Sequence, residues 1–203
     1  MKRSILASFI SSGALIAALA PSISQAQAFD GQVRFIGKVS AVTCKVNGKD
    51  AGLGNIKDVN LGPHDPTAFA NLDKGAMLTA SEKPFSIELS DCSAKGTAAI
   101  AFDQVSTTIN KDSGNLKINT TLPATGIEIG IWNAGNSKTN KVVLGKAQDP
   151  GDVQTVSWDP TAATPTNGGS LDFKAAYIKV VDKAVTVGSG SAGSDIGFIV
   201  AYQ

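Results

Sequence analysis

Apolar residues return at every second position in short segments along most of this chain. That period suits half-buried β-strands rather than helices. Phe85-Ser-Ile-Glu-Leu89 alternates strictly and runs on to Cys92, and Ile127-Glu-Ile-Gly-Ile131 repeats the pattern before Trp132 and the turn Asn133-Ala-Gly-Asn136. Residues 171–181 read as a longer strand, with Leu171, Phe173, Ala175, Tyr177 and Lys179 on one side and Asp172, Lys174, Ala176, Ile178 and Val180 on the other. Val33, Phe35, Val39 and Val42 alternate loosely into Cys44, and Asn47-Gly48 follows as a hairpin turn. Segments 55–61, 98–102 and 142–144 are shorter pieces of the same kind, and only residues 72–80 hint at a helical turn. Last, Ile196, Phe198, Val200 and Tyr202 alternate with Gly197, Ile199 and Ala201 up to the penultimate residue. Strands this short and closely spaced predict an all-β sandwich. The 203 residues suit one domain; 21 glycines, 8 prolines and only 17% charged residues weigh against long solvated helices. No internal repeat is visible, and 161–170 reads as a Thr/Pro/Gly-rich surface loop.

The first residues read as an export signal. Met1-Lys-Arg3 is basic, residues 4–20 are mostly apolar, Pro21 breaks the run, and small residues follow through Ala28. Cleavage fits after Ala26 or after Ala28, leaving a mature chain of about 175 residues. Losing Lys2 and Arg3 turns the net charge from +1 to −1. In an exported chain, the pair Cys44 and Cys92 reads as one structural disulfide, worth roughly 4 kcal/mol in the chain-entropy model.

Residues that carry chemistry are scarce. A near-neutral charge argues against nucleic-acid binding. One histidine, His64, stands between Pro63 and Asp65-Pro66 and reads as a turn residue, so neither His-based metal sites nor His-dependent catalysis finds its parts. There is no Gly-x-Ser-x-Gly and no metal-spaced His/Cys set. The run Gly188-Ser-Gly-Ser-Ala-Gly193 lacks a P-loop lysine and reads as a flexible turn, and Asp149-Pro-Gly-Asp152 reads as a turn rather than a calcium loop. Trp132 and Trp158 could offer a sugar platform, although aromatic residues of this kind serve more often in packing. A secreted monomeric sandwich that binds carbohydrate through Trp132 or Trp158 is therefore the competing reading, and an enzyme is not supported.

Both chain ends are informative. An alternating apolar last strand must be covered or become a sticky edge. At the other end, Phe29, Gly31, Val33 and Phe35 alternate almost from the cleavage site, as either an ordinary first strand or a strand added to another subunit.

Several motifs then lie in a telling order. Gly31-Gln-Val-Arg-Phe-Ile-Gly-Lys-Val39 stands five residues before Cys44, and Pro84-Phe-Ser-Ile-Glu-Leu-Ser-Asp-Cys92 surrounds the second cysteine. Ile127-Glu-Ile-Gly-Ile131 follows, and the chain closes with Gly190, fourteenth from the end, and Ile196-Gly-Phe-Ile-Val-Ala-Tyr202. Together these resemble the type 1 pilin family of chaperone–usher fimbrial subunits. The glycine run ahead of the last strand departs from the family's usual Pro-Gly step. The resemblance implies an immunoglobulin-like sandwich lacking its seventh strand, in a single domain 29–203 whose segment 29–38 is a donor strand. Phe29, Gly31, Val33 and Phe35 would enter the groove of another subunit. Gly190, Ile196, Phe198, Val200 and Tyr202 would line the groove that a chaperone and then the next subunit occupies. The implied partners are identical or related subunits, a periplasmic chaperone and an outer-membrane usher. The implied destination is a surface fimbrium with this chain as a shaft subunit, and the resemblance implies no cofactor, metal or catalytic residue.

Overall fold

A computed structural model describes residues 43–52 and 54–203. The signal segment, the alternation from Val33 to Val42 and the donor residues Phe29, Gly31, Val33 and Phe35 lie outside the described residues.

The described residues form ten strands: β1 (Lys45–Val46), β2 (Lys83–Ser90), β3 (Gly96–Phe102), β4 (Ile109–Asn110), β5 (Asn115–Lys117), β6 (Ile127–Asn133), β7 (Lys141–Val142), β8 (Thr155–Trp158), β9 (Gly169–Lys179) and β10 (Phe198–Tyr202). Every pairing among them is antiparallel. The larger sheet runs β1-β2-β9-β6-β5-β4, with β7 also on β6; the smaller runs β10-β3-β8. The chain is thus all-β, as its period-two pattern predicts.

Register follows from side-chain alternation. β9 sets Phe173 opposite Phe85 and Leu171 opposite Ile87 on one side, and Tyr177 opposite Ile129 on the other. Ile87, Ile127, Ile129, Ile131, Leu171, Phe173, Ala175 and Tyr177 therefore enter the core together, facing Ala98, Ile100 and Val200 of the smaller sheet. The Phe85 and Phe173 rings stack at 5.5 Å, and Phe102 meets Phe173 edge-on, also at 5.5 Å. Lys179 falls on the core side, as its period dictates. It is only 1% exposed. Its Nζ donates to the carbonyls of Phe69 (3.1 Å) and Lys183 (3.0 Å), satisfying a group that is costly to bury unpaired.

The Asn47-Gly48 hairpin forms as predicted: both residues have positive φ (50° and 75°), and Val46 and Lys49 exchange backbone hydrogen bonds. The Cys44–Cys92 disulfide joins the entry to β1 with the exit from β2. The strand 141–142 is shorter than predicted, and 55–61 forms no strand; Ile56 there is exposed. Residues 72–80 form no full helical turn. The chain instead continues beside β9, where Gly75 N donates to Lys179 O and Leu78 N to Tyr177 O, and only Thr79–Ser81 winds into a 3-10 turn. Pairing with β9 satisfies more backbone groups than an isolated turn could. Asp149 accepts from Gly151 N in the predicted turn. His64 Nε2 contacts Leu61 O at 2.9 Å while its ring meets Tyr177 edge-on.

The run 188–193 is not a flexible turn. Gly188 and Thr125 exchange backbone hydrogen bonds, Ser191 N donates to Leu122 O, and Ala124 N donates to Ser191 O. A Cβ on Gly190 would lie 2.5 Å from Ala124 N and 2.6 Å from Leu122 O, so only glycine allows this approach. A Cβ on Gly197 would meet nothing closer than Asp103 Cβ at 3.7 Å. Gly190→Ala is accordingly expected to cost about 1–3 kcal/mol in urea unfolding, and Gly197→Ala less than about 0.5 kcal/mol. Equal effects at the two positions would refute the close-packing account.

Candidate functional site

The last strand and its surroundings form the candidate site. β10 pairs with β3 through Phe198↔Phe102, Ile199↔Ala101, Val200↔Ile100, Ala201↔Ala99 and Tyr202↔Ala98. The ladder continues past it, since Gln203 and Thr97 exchange backbone hydrogen bonds of 2.8 and 3.2 Å. The strand begins two residues later than the sequence pattern, at Phe198. Ile196 precedes it and still packs against the core, as do Phe198 and Tyr202, while Val200 belongs to the core itself. Ile199 points the other way and is 61% exposed. The predicted groove residues thus share the core side, with Gly190 docking the approach to the strand against 122–124. Among the described residues, β10 is the last strand of its sheet, with β3 between it and β8.

At the far end of β10, Tyr202 meets the Trp158 ring edge-on at 6.2 Å. Burial pushes the Tyr202 phenol's pKa up, and a hydrogen bond from the Cys44 backbone partly offsets this. The end of the strand is therefore tied to the disulfide's surroundings. Trp158 is 2% exposed and its Nε1 donates to Ala94 O at 2.6 Å. It is a packing residue and cannot serve as a sugar platform. Trp132 lies on the opposite face of the larger sheet, its ring covering Gly130. The tryptophans do not converge.

A polar rim closes this end. Lys95, Thr97, Ser157, Asp159, Thr166 and Gln203 line an open depression. Lys95 Nζ lies 2.8 Å from Asp159, whose carboxylate also accepts from Thr161 N and Oγ1. Hydrogen bonding from Lys95, then from Thr161, lowers the Asp159 pKa from 3.8 to about 2. The folded value lies below the unfolded one, so the stabilisation is present above the unfolded pKa and fades as pH falls from 3.8 to about 2. A carboxyl titration followed by NMR should place Asp159 near that low value, and Lys95→Ala should move it back towards 3.8. An unmoved titration would mean that Lys95 is not the cause.

β4, β5 and β8 escaped the sequence reading. β4 and β5 are two and three residues long, too short to show a period. Thr155-Val-Ser-Trp158 does alternate, and was the available signal for β8. The described residues contain no cluster of three or more His, Cys, Asp or Glu side chains able to hold a metal ion.

Residues 28–203 match the family model described as fimbrial protein. The chain is 30% identical to the fimbrial subunit type 1 of Salmonella typhimurium across the full length of both. It is 27% identical to the F17 fimbrial protein of Escherichia coli, over 91% of this chain and 93% of that one. Among solved structures, it resembles a chain of a chaperone–usher pilus with a TM-score of 0.53, at 22% identity over 91% of this chain and all of that one. It also resembles the P pilus rod subunit PapA with a TM-score of 0.51, at 19% identity over 79% of this chain and 99% of that one.

Proposed function

The chain belongs to the fimbrial protein family, and from that premise we propose that it is a structural subunit that polymerises into a chaperone–usher pilus by donor-strand exchange. Its relatives are fimbrial subunits rather than enzymes, in keeping with a chain whose work is assembly. The observation that supports the mechanism is the family match together with β10, whose Phe198, Val200 and Tyr202 all turn to the core. An extended segment laid along such a strand adds main-chain hydrogen bonds, and its alternate side chains reach the core.

In this reading the signal segment directs export and is removed after Ala26 or Ala28. A periplasmic chaperone first lends the missing strand, and its basic groups hold the terminal carboxylate of Gln203. At the outer-membrane usher the segment 29–38 of the incoming subunit replaces it. Phe29, Val33 and Phe35 would then reach inward, and Gly31 would admit a close backbone approach. The process requires no cofactor and ends in a surface fimbrium. The buried setting of Trp158 removes that residue from the carbohydrate-binding alternative.

Thermal unfolding of two chains tests this. One begins after Phe35; the other is the same chain with residues 29–38 joined through a short turn after Gln203. The truncated chain should be unfolded or marginal, and the graft should melt tens of degrees higher. Cooperative folding of the truncated chain, with nothing gained from the graft, would overturn donor-strand exchange. A second check is Val200→Asp, which places a charge on the core side of β10: it should abolish polymer recovered from the cell surface, and wild-type polymer yield would contradict the proposed role of this strand.

A further inference from the structure

The entry to β9 sets an asparagine before a glycine that the fold cannot replace. Gly168 has a φ of 154° and lies so close beneath Leu89 O that a Cβ there would overlap it. The next residue, Gly169, opens β9 opposite Leu89. Backbone bonds fix the chain here: Thr166 N donates to Asp159 O at 3.0 Å, and Asn167 O accepts from Cys92 N at 3.1 Å. The Asn167 side chain takes no part in this frame. It is exposed, and neither its carboxamide nor the Gly168 N–H makes a hydrogen bond among the described residues.

Asparagine precedes a small residue at three other described places, Asn47-Gly48, Asn133-Ala134 and Asn136-Ser137. Each of those side chains is tied down. Asn47 Nδ2 donates to Asn55 Oδ1 at 3.3 Å, and Asn47 Oδ1 accepts from Glu88 N at 3.0 Å. Asn133 is 2% exposed, donates to Asn140 Oδ1 and Asp152 O, and accepts from Gln154 Nε2. Asn136 Nδ2 donates to Thr155 O. An asparagine closes a ring by swinging its Cγ onto the following amide nitrogen, so those bonds must break first. At Asn167 there is none to break, and a following glycine, without a Cβ, obstructs the approach least.

We infer that Asn167 is a self-modifying site that converts to isoaspartate and aspartate in the folded protein. The Gly168 amide nitrogen gives its proton to solvent base and attacks Asn167 Cγ. An N–Cγ bond forms, the Cγ–Nδ2 bond breaks, and ammonia leaves with a proton taken from water. One water then opens the succinimide. Opening at Cγ gives aspartate; opening at the main-chain carbonyl carbon gives isoaspartate. Water is the only co-reactant. Holding nucleophile and carboxamide in adjacent residues favours this ring closure over direct hydrolysis. Either product adds one negative charge. In isoaspartate the main chain runs through Cβ and Cγ and gains one carbon, and the carbonyl that accepts from Cys92 N becomes a free carboxylate. The change falls between the disulfide and the first residue of β9. It is independent of donor-strand exchange.

The test is a tryptic map of the mature exported protein, kept folded in mildly alkaline buffer and sampled over weeks. A digest at time zero corrects for conversion during handling. Peptide 147–174 has Asn167 as its sole asparagine, and peptide 46–49 carries Asn47. Peptide 147–174 should gain an isoaspartate and aspartate pair, isoaspartate in excess, with more than about tenfold greater conversion at Asn167 than at Asn47. In guanidinium chloride the two sites should convert at similar rates. Asn167→Gln should remove the acidic species that the aged protein shows on ion exchange. An unconverted Asn167 in the folded protein, or equal conversion at both sites, would overturn the proposal. Aspartate without isoaspartate would overturn the cyclic route, and a difference that persists in denaturant would overturn the role given to side-chain restraint.

Discussion

The antiparallel ladder between β10 and β3 is the contact on which the sandwich most depends. It lays Phe198–Tyr202 on a sheet that, among the described residues, otherwise consists of β3 and the four-residue β8. With it come Phe198, Val200 and Tyr202, which pack over a core whose other wall is built by β2, β9 and β6. Two short strands would cover little of that face, and β10 adds the third among the described residues.

Other features steady the approach to that ladder. The disulfide joins the two ends of the β1–β2 hairpin, and the Cys44 backbone reaches the Tyr202 phenol. Gly190 brings 188–191 within backbone hydrogen-bonding distance of 122–125, so the chain arrives at β10 already paired. A glycine-rich run has the composition of a flexible turn, but removing side chains also permits close backbone packing. Composition could not distinguish the two; only the partner segment, some seventy residues earlier, does.

The polar interior shows the same division. Lys179 could be assigned to the core side of its strand from periodicity, against its chemical preference, because a strand cannot rotate one residue out of register. What makes the position tolerable is the pair of carbonyls presented by the loops around Phe69 and Lys183. Glu128 alternates with apolar neighbours as a solvated residue should, yet it is buried. Asn110, Ser113 and Asn115, arriving from the next strands, enclose it.

The sequence by itself determined the strand class, the side-chain faces of β2, β6, β9 and β10, the Asn47-Gly48 turn and the motif order that marks a fimbrial subunit. These are encoded within a few residues, where period and turn chemistry act directly. Only the tertiary structure decided that Trp158 is a packing residue, that 72–80 lies along β9, that 188–193 is fastened by backbone pairing, and that Asn110, Ser113 and Asn115 close around Glu128. Each of these depends on a partner distant in sequence. Burial and pairing between remote segments follow from how sheets align, which no local pattern specifies.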